Sequence, residues 1–294
     1  MPMFKKILPG LLFSVLWATG SVAVKFGIRS ADSLILASIR FIATGFIFGP
    51  YFALVRKERF WPLKSEWKSI VIYGFLCTTL TLGSFFAAQR YASAGISMLF
   101  IAVAPLLIAL FSSVIVKRKL TKFEIIGMLV AFTGLVLASA TALPNASIKP
   151  LGIVLLLIYI FAYASSSVYF STLNISLPNV SFNIWQVFVG GVILLPFCPM
   201  FAQQHIHQVD LNLFICLFWL IVVLSFIANQ LWLYLVGQDA VSAGTWLYLT
   251  PVFGYGFGYL LLGEQISVYA VAGTVLVVTG LVVSKIKAVQ QVSE

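Results

Sequence analysis

Ten apolar runs, each about 20 residues long and parted by short polar breaks, leave this chain very few ways to fold. A helix of that length crosses a hydrocarbon layer about 30 Å thick. The runs lie near residues 7–27, 33–55, 69–88, 93–116, 122–142, 150–172, 182–201, 211–235, 241–262 and 266–285. Lipid offers the backbone no hydrogen-bond partner, so a spanning segment is either a helix or a strand of a closed barrel. Barrel strands alternate apolar and polar residues, whereas these runs are continuous. The expectation is an all-α integral membrane protein with ten transmembrane helices. Composition agrees, since 61% hydrophobic and 9% charged residues with a mean hydropathy of +1.07 exclude a soluble globular domain. The first run follows Lys5-Lys6, lacks a small-residue cleavage site, and reads as a retained span instead of a removable leader.

The chain is also written twice. At a shift of 146 residues, Pro105-Leu106-Leu107 falls on Pro251-Val252-Phe253, Gly127 on Gly273, and Thr133-Gly134-Leu135 on Thr279-Gly280-Leu281. The same register pairs Trp17-Ala18 with Tyr163-Ala164, Arg40 with Gln186, Gly45 with Gly191 and Pro50 with Pro196. In the middle it becomes 149, matching Ser93-Ala94-Gly95 with Ser242-Ala243-Gly244. The expected units are residues 1–146 and 147–294, five helices each. Five is odd, so the second unit enters the membrane from the opposite face and the repeats are inverted. Such a pair encloses a site near the midplane that opens to either side in turn.

The net charge of +10 is placed to orient the chain in a membrane, not to bind nucleic acid. Lys5, Lys6, Arg56, Lys57, Arg59, Lys64, Lys68, Lys117, Arg118, Lys119, Lys122, Lys285 and Lys287 all fall on one side, where they meet anionic lipid. The positive-inside rule puts both termini in the cytoplasm. No polar stretch is long enough for a soluble catalytic domain, and there is no G-x-x-x-x-G-K-[ST] or H-E-x-x-H pattern. His205 and His207, on one loop near Asp210, are too few for a metal site, and Cys77, Cys198 and Cys216 suggest no disulfide framework. No cofactor, metal or catalytic residue is expected.

Polar and aromatic residues inside the runs are the candidate site. Ser14, Trp17, Ser21 and Lys25 follow at spacings of three or four along one face of the first run. Lys25 reads either as an interfacial anchor or as a cavity cation. Arg40 lies about seven residues into the second run, too deep to face lipid cheaply. Tyr159, Tyr163, Ser166, Ser167 and Phe170 line one stripe of the sixth run, and Asn229 and Trp232 mark the eighth. Trp246 and Tyr248 precede Pro251 in the ninth, as a cavity wall or an interfacial belt. Pro105 and Pro251 occupy matching places and are candidate hinges, because each removes a backbone hydrogen bond. The Gly45/Gly49 and Gly254/Gly258 pairs suggest close helix packing, and Gly127, Gly134, Gly273 and Gly280 suggest that the fifth and tenth helices pack symmetrically. No run holds a central Asp or Glu, which argues against a carboxylate proton relay.

These residues resemble a known family. Leu16-Trp17-Ala18 with Lys25, Ile39-Arg40-Phe41, Thr250-Pro251 and Gly263-Glu264-Gln265-Ile266-Ser267 look like the EamA type of the drug/metabolite transporter superfamily, over nearly the whole chain. Where that family often repeats Gly-Glu after its fourth span, this chain has Lys117-Arg118. The resemblance implies a bacterial inner-membrane carrier whose cavity is lined by helices one, three, four, six, eight and nine. It implies movement of amino acids or related small metabolites, commonly outwards, by a monomer or homodimer. Import of a nucleotide-like or sulfonium metabolite such as S-adenosylmethionine, a channel, and a non-transporting membrane component are the rival readings.

Overall fold

The structure is a computed structural model. It describes residues 2–55, 59–88, 91–92, 94–138, 149–201, 206–262 and 267–290. Among the described residues the chain forms ten helical rods: α1 Pro2–Gly27, α2 Ser33–Leu54, α3 Lys64–Ala88, α4 Ala94–Ile115, α5 Lys122–Ala138, α6 Pro150–Thr172, α7 Asn179–Phe197, α8 Leu211–Gln238, α9 in two arms, Ala240–Trp246 and Leu249–Leu262, and α10 Val268–Gln290. Six rods contain stretches long and apolar enough to span a bilayer: Ile7–Val24, Ser33–Leu54, Lys64–Ala88, Pro150–Thr172, Asn179–Phe197 and Leu211–Gln238. Val103–Ile115 and Val268–Ser284 are shorter apolar helices.

Aspartates start three of the rods. Asp32 accepts from the Leu34 amide at 3.0 Å, Asp210 from Leu213 at 2.9 Å, and Asp239 from Val241 and Ser242 at 3.3 and 3.2 Å. Each carboxylate satisfies amides that a helix start leaves without partners. The Ser30 hydroxyl and the Leu213 amide together hold the Asp210 carboxyl below its ordinary range.

The middles of α3 and α8 are π-helical, over Gly74–Gly83 and Trp219–Ala228. These segments sit at matching places in the two repeats, and runs of this length are uncommon. Asn183 on α7 supports the second of them, donating its amide to the Ser225 and Phe226 carbonyls at 3.3 and 3.2 Å. Gln186, the repeat partner of Arg40, donates to the Asn183 side-chain oxygen and accepts from Thr78. Gln186 therefore ties α3, α7 and α8 together through a satisfied network.

Glycine fixes the closest helix contact. A Cβ on Gly134 would stand 2.7 Å from the Gly273 carbonyl oxygen, and one on Gly127 or Gly280 2.5 Å from the carbonyl oxygen of the other. The α5 and α10 backbones thus touch along a symmetric seam, as the repeated glycines predict. Gly45 and Gly191 seat α2 against α7 in the same reciprocal manner, on Phe188 and on Phe41. Gly254 departs from expectation. A Cβ there would meet nothing within 4 Å, so it makes no close helix contact.

The two prolines differ in effect. Pro105 lies within an unbroken α4, whereas α9 is interrupted at Leu247–Tyr248. Pro251 has no amide to give Leu247, and the Thr250 amide takes that carbonyl instead at 3.1 Å. The two arms of α9 therefore meet at a turn.

Ionic clasps join the halves at the face where α3 begins. Arg59 grips Glu66 with two bonds of 2.8 and 2.7 Å, and the same carboxylate accepts from Ser176 and from the Leu177 amide. Arg118 bridges Glu124 and Asp239, its Nη2 lying 2.6 and 2.7 Å from their carboxylates. Just before it, Lys117 has φ of 56°, the left-handed conformation that glycine adopts without strain. We expect Lys117→Gly to raise stability by about 0.5–1 kcal/mol, read as a higher melting temperature in detergent. An unchanged or lower transition would show that this turn is not strained. At the opposite face, Ser30 accepts from the His207 and Gln208 amides and donates to Asp210 at 2.7 Å.

Candidate functional site

A column of stacked rings runs through the bundle from α1 to α6. Phe13 stacks on Trp232 at 5.0 Å between centroids, Trp232 on Tyr163 at 5.2 Å and Tyr163 on Tyr159 at 6.0 Å. Trp17 leans on Phe13 at 5.5 Å. Phe13 with Trp17 and Tyr159 with Tyr163 are i, i+4 pairs, so each helix presents two rings along one face. Trp246 and Tyr248 join the same core from the α9 break. The Ser14 hydroxyl lies 2.8 Å from the Trp246 carbonyl oxygen, and Gly10 leaves room for the indole itself.

The column is apolar in shape but not in its atoms. Among the described residues, the hydroxyls of Tyr163 and Tyr248 and the indole N–H of Trp232 are buried without a hydrogen-bond partner. Tyr73, on α3, also lacks one and sits beside the Cys77 thiol. Leaving a buried donor unsatisfied costs about 1–3 kcal/mol, so several in one core call for an explanation. A polar ligand that enters the column supplies one. Tyr163→Phe should then raise the ligand-free melting temperature, by about 1 kcal/mol of stability, and weaken ligand-induced stabilisation. A lower melting temperature would mean that the hydroxyl already has a partner.

Arg40 lies in a second, adjoining pocket of the core. Its guanidinium stands 4.5 Å from the Phe41 ring and 5.4 Å from Phe86, and only 3% of the residue is exposed. Its Nε has no hydrogen-bond partner, and no carboxylate among the described residues pairs with it. Cation–π contacts offset only part of the cost of burying a charge. Trp17 packs against both the ring column and the cluster containing Phe41 and Phe86, and so connects the two regions.

The structure therefore brings together Trp17, Tyr163, Trp232, Trp246 and Tyr248, with Arg40 across Trp17. Ser167 is turned onto its own helix, donating to the Tyr163 carbonyl at 2.7 Å. Asn229 is buried where the π segment of α8 ends. The side chains of Ser21 and Lys25 lie outside the described residues, as does the Gly263–Ile266 turn. Phe13, Tyr73 and Phe182 belong to this core although nothing in their spacing singles them out, and Phe170 joins it from the stripe of the sixth run.

Known proteins of the same make-up match nearly end to end. A solved crystal structure superposes with a TM-score of 0.80, covering 97% of both chains at 18% identity, and so shares the fold. An uncharacterized transporter of Archaeoglobus fulgidus is 24% identical over 268 residues, 90% of this chain and 93% of that one. The uncharacterized inner membrane transporter YedA of Escherichia coli strain K12 is 26% identical over 270 residues, 90% and 86% of the two chains. A probable amino-acid metabolite efflux pump of Salmonella typhimurium is 23% identical over 290 residues, 93% and 92% of the two. The EamA-like transporter family matches residues 4–140 and again 150–285, one match for each copy of the repeat. With its apolar rods, its doubled sequence and both halves matched, the chain is a multi-pass membrane transporter, not an enzyme, and belongs to the EamA-like transporter family.

Proposed function

We propose that this transporter exports small organic metabolites, amino acids or closely related compounds, across the inner membrane by alternating access. In this reading ten helices cross the bilayer as two inverted five-helix repeats, residues 1–146 and 147–294, with both termini in the cytoplasm. The observation that carries it is the set of buried polar atoms on the Tyr163–Trp232–Tyr248 core that have no hydrogen-bond partner among the described residues, beside Arg40, whose Nε has none there either. A carboxylate meets the guanidinium, and an apolar or aromatic part of the same molecule lies on the rings. Rigid stacked aromatics give contact area at little entropic cost, while the orphaned donors fix orientation. The efflux-pump name of the Salmonella relative supports the substrate class and the direction. Among the described residues no carboxylate lies in this core, so the substrate gradient or the membrane potential is the proposed drive.

The test is thermal stabilisation of the purified protein across a metabolite panel, followed by counterflow in reconstituted vesicles. A ligand that binds only the folded state at 100 times its dissociation constant adds about 2.7 kcal/mol. Selective stabilisation by amino acids, and exchange of the same compounds, is expected. Stabilisation by nucleotide-like compounds alone, or conductance without saturation or exchange, would replace this reading.

A further inference from the structure

A cavity of about 320 Å³ opens beside the ends of α6 and α8. Its wall includes Ser171, Asn179, Tyr234 and Gln238, and among the described residues no acidic or basic side chain lines it. Leu177, which also lines it, donates its amide to Glu66, so the Arg59–Glu66 clasp holds one edge of the mouth. Pockets that take small molecules begin at about 300 Å³.

Two lining residues, Phe170 and Phe182, also reach inward. With Tyr73 they form a closed triangle of rings, 5.3, 5.4 and 5.3 Å apart and each inclined 52° to the next. All three are buried. Behind Tyr73 lie Cys77 and the unpartnered hydroxyl of Tyr163. The route from the cavity to the ring column therefore passes through one layer of aromatic rings drawn from α3, α6 and α7.

We propose that this cavity is a first binding station for the transported solute and that Tyr73, Phe170 and Phe182 are the gate between it and the inner site. The inference rests on the transporter reading given above. The station accepts a solute with no net charge, a zwitterion or a neutral molecule. An amide and hydroxyls can solvate opposite ends of a zwitterion, whereas an ion of one sign loses water and meets no countercharge. Ring packing closes the route without an ion pair, so the gate opens when the ends of α6 and α7 separate from α3.

Cys77 is a built-in reporter behind the gate. In the full chain with Cys198→Ala and Cys216→Ala, N-ethylmaleimide should label Cys77 slowly, and adding Phe170→Ala with Phe182→Ala should raise that rate at least tenfold. An unchanged rate in a protein that keeps its cooperative melt overturns the gate. Gly237→Cys tests the station without displacing the gate, because a Cβ there meets only the Phe170 ring, at an ordinary contact distance of 3.6 Å. Maleimide on that cysteine should block counterflow of L-leucine and L-phenylalanine at least tenfold, and undiminished exchange overturns the station. Exchange of L-lysine or L-glutamate in preference to L-leucine overturns the assigned solute charge. If Cys77 responds as expected and none of these amino acids exchanges, the gate stands and the amino-acid reading falls.

Discussion

Leucine in place of Gly134 should leave little folded protein to purify. The first side-chain carbon would approach the Gly273 carbonyl oxygen at 2.7 Å and the Val277 amide at 2.8 Å. Those are backbone atoms of a facing helix, and no rotamer change moves them aside. Overfilling an ordinary core by a few methylenes costs about 1–3 kcal/mol. Here α5 and α10 must separate along their whole seam, so we expect a loss of more than about 3 kcal/mol, large against the 5–15 kcal/mol that holds a typical protein folded. The measurement is the monodisperse yield and melting temperature in detergent. Gly254→Ala is the control and should change stability by no more than about 0.5 kcal/mol, because that position faces open space. A normal yield for Gly134→Leu would mean that the seam is not needed to hold the bundle together.

Arg40→Met should separate function from stability. Methionine keeps much of the length and apolar bulk while removing a buried charge that has no carboxylate partner among the described residues. Replacing buried ionic groups by well-packed hydrophobes is often neutral or stabilising by about 1–4 kcal/mol, so the melting temperature should hold or rise. If the guanidinium holds the substrate carboxylate, the lost hydrogen bonds to a charged group are worth about 1.5–3 kcal/mol, roughly a tenfold to hundredfold loss of affinity. Counterflow of a carboxylated substrate should fall accordingly, and Arg40→Lys should retain part of it. Wild-type counterflow in Arg40→Met would remove Arg40 from the site. A collapse in stability together with transport would make it a packing residue.

The glycine seam was legible in the sequence because a repeat places the same small residues at the same depth twice. The ring column was partly legible, since Trp17, Tyr163, Trp232, Trp246 and Tyr248 stand beside polar residues at helical spacing. Phe170 was legible as part of the Tyr159–Tyr163 stripe, but Tyr73 and Phe182 were not, because an aromatic inside an apolar run has no feature that separates a gate from lipid contact or core. The matched prolines stand in helices of different build, α4 continuous at Pro105 and α9 interrupted before Pro251, a difference their matching places do not encode. Gln186 shows the converse: a polar partner of Arg40 in sequence, it is fully engaged in holding helices together.

The two wide-turned segments carry a mechanical consequence. Each π hydrogen bond spans one more residue than an α bond, so a π turn stores a surplus residue within the rod. Returning each such residue to α register would rotate everything beyond it by about 100°, the arc one residue occupies in a turn of 3.6. In α8 the part beyond begins at Asn229 and includes Trp232, which would swing out from between Phe13 and Tyr163. In α3 the part beyond begins at Ser84 and includes Phe86, one of the two rings under the Arg40 guanidinium. The rods thus resemble a pair of screws, one in each half, able to dismantle the site by turning on their own axes while the helices around them stay in place.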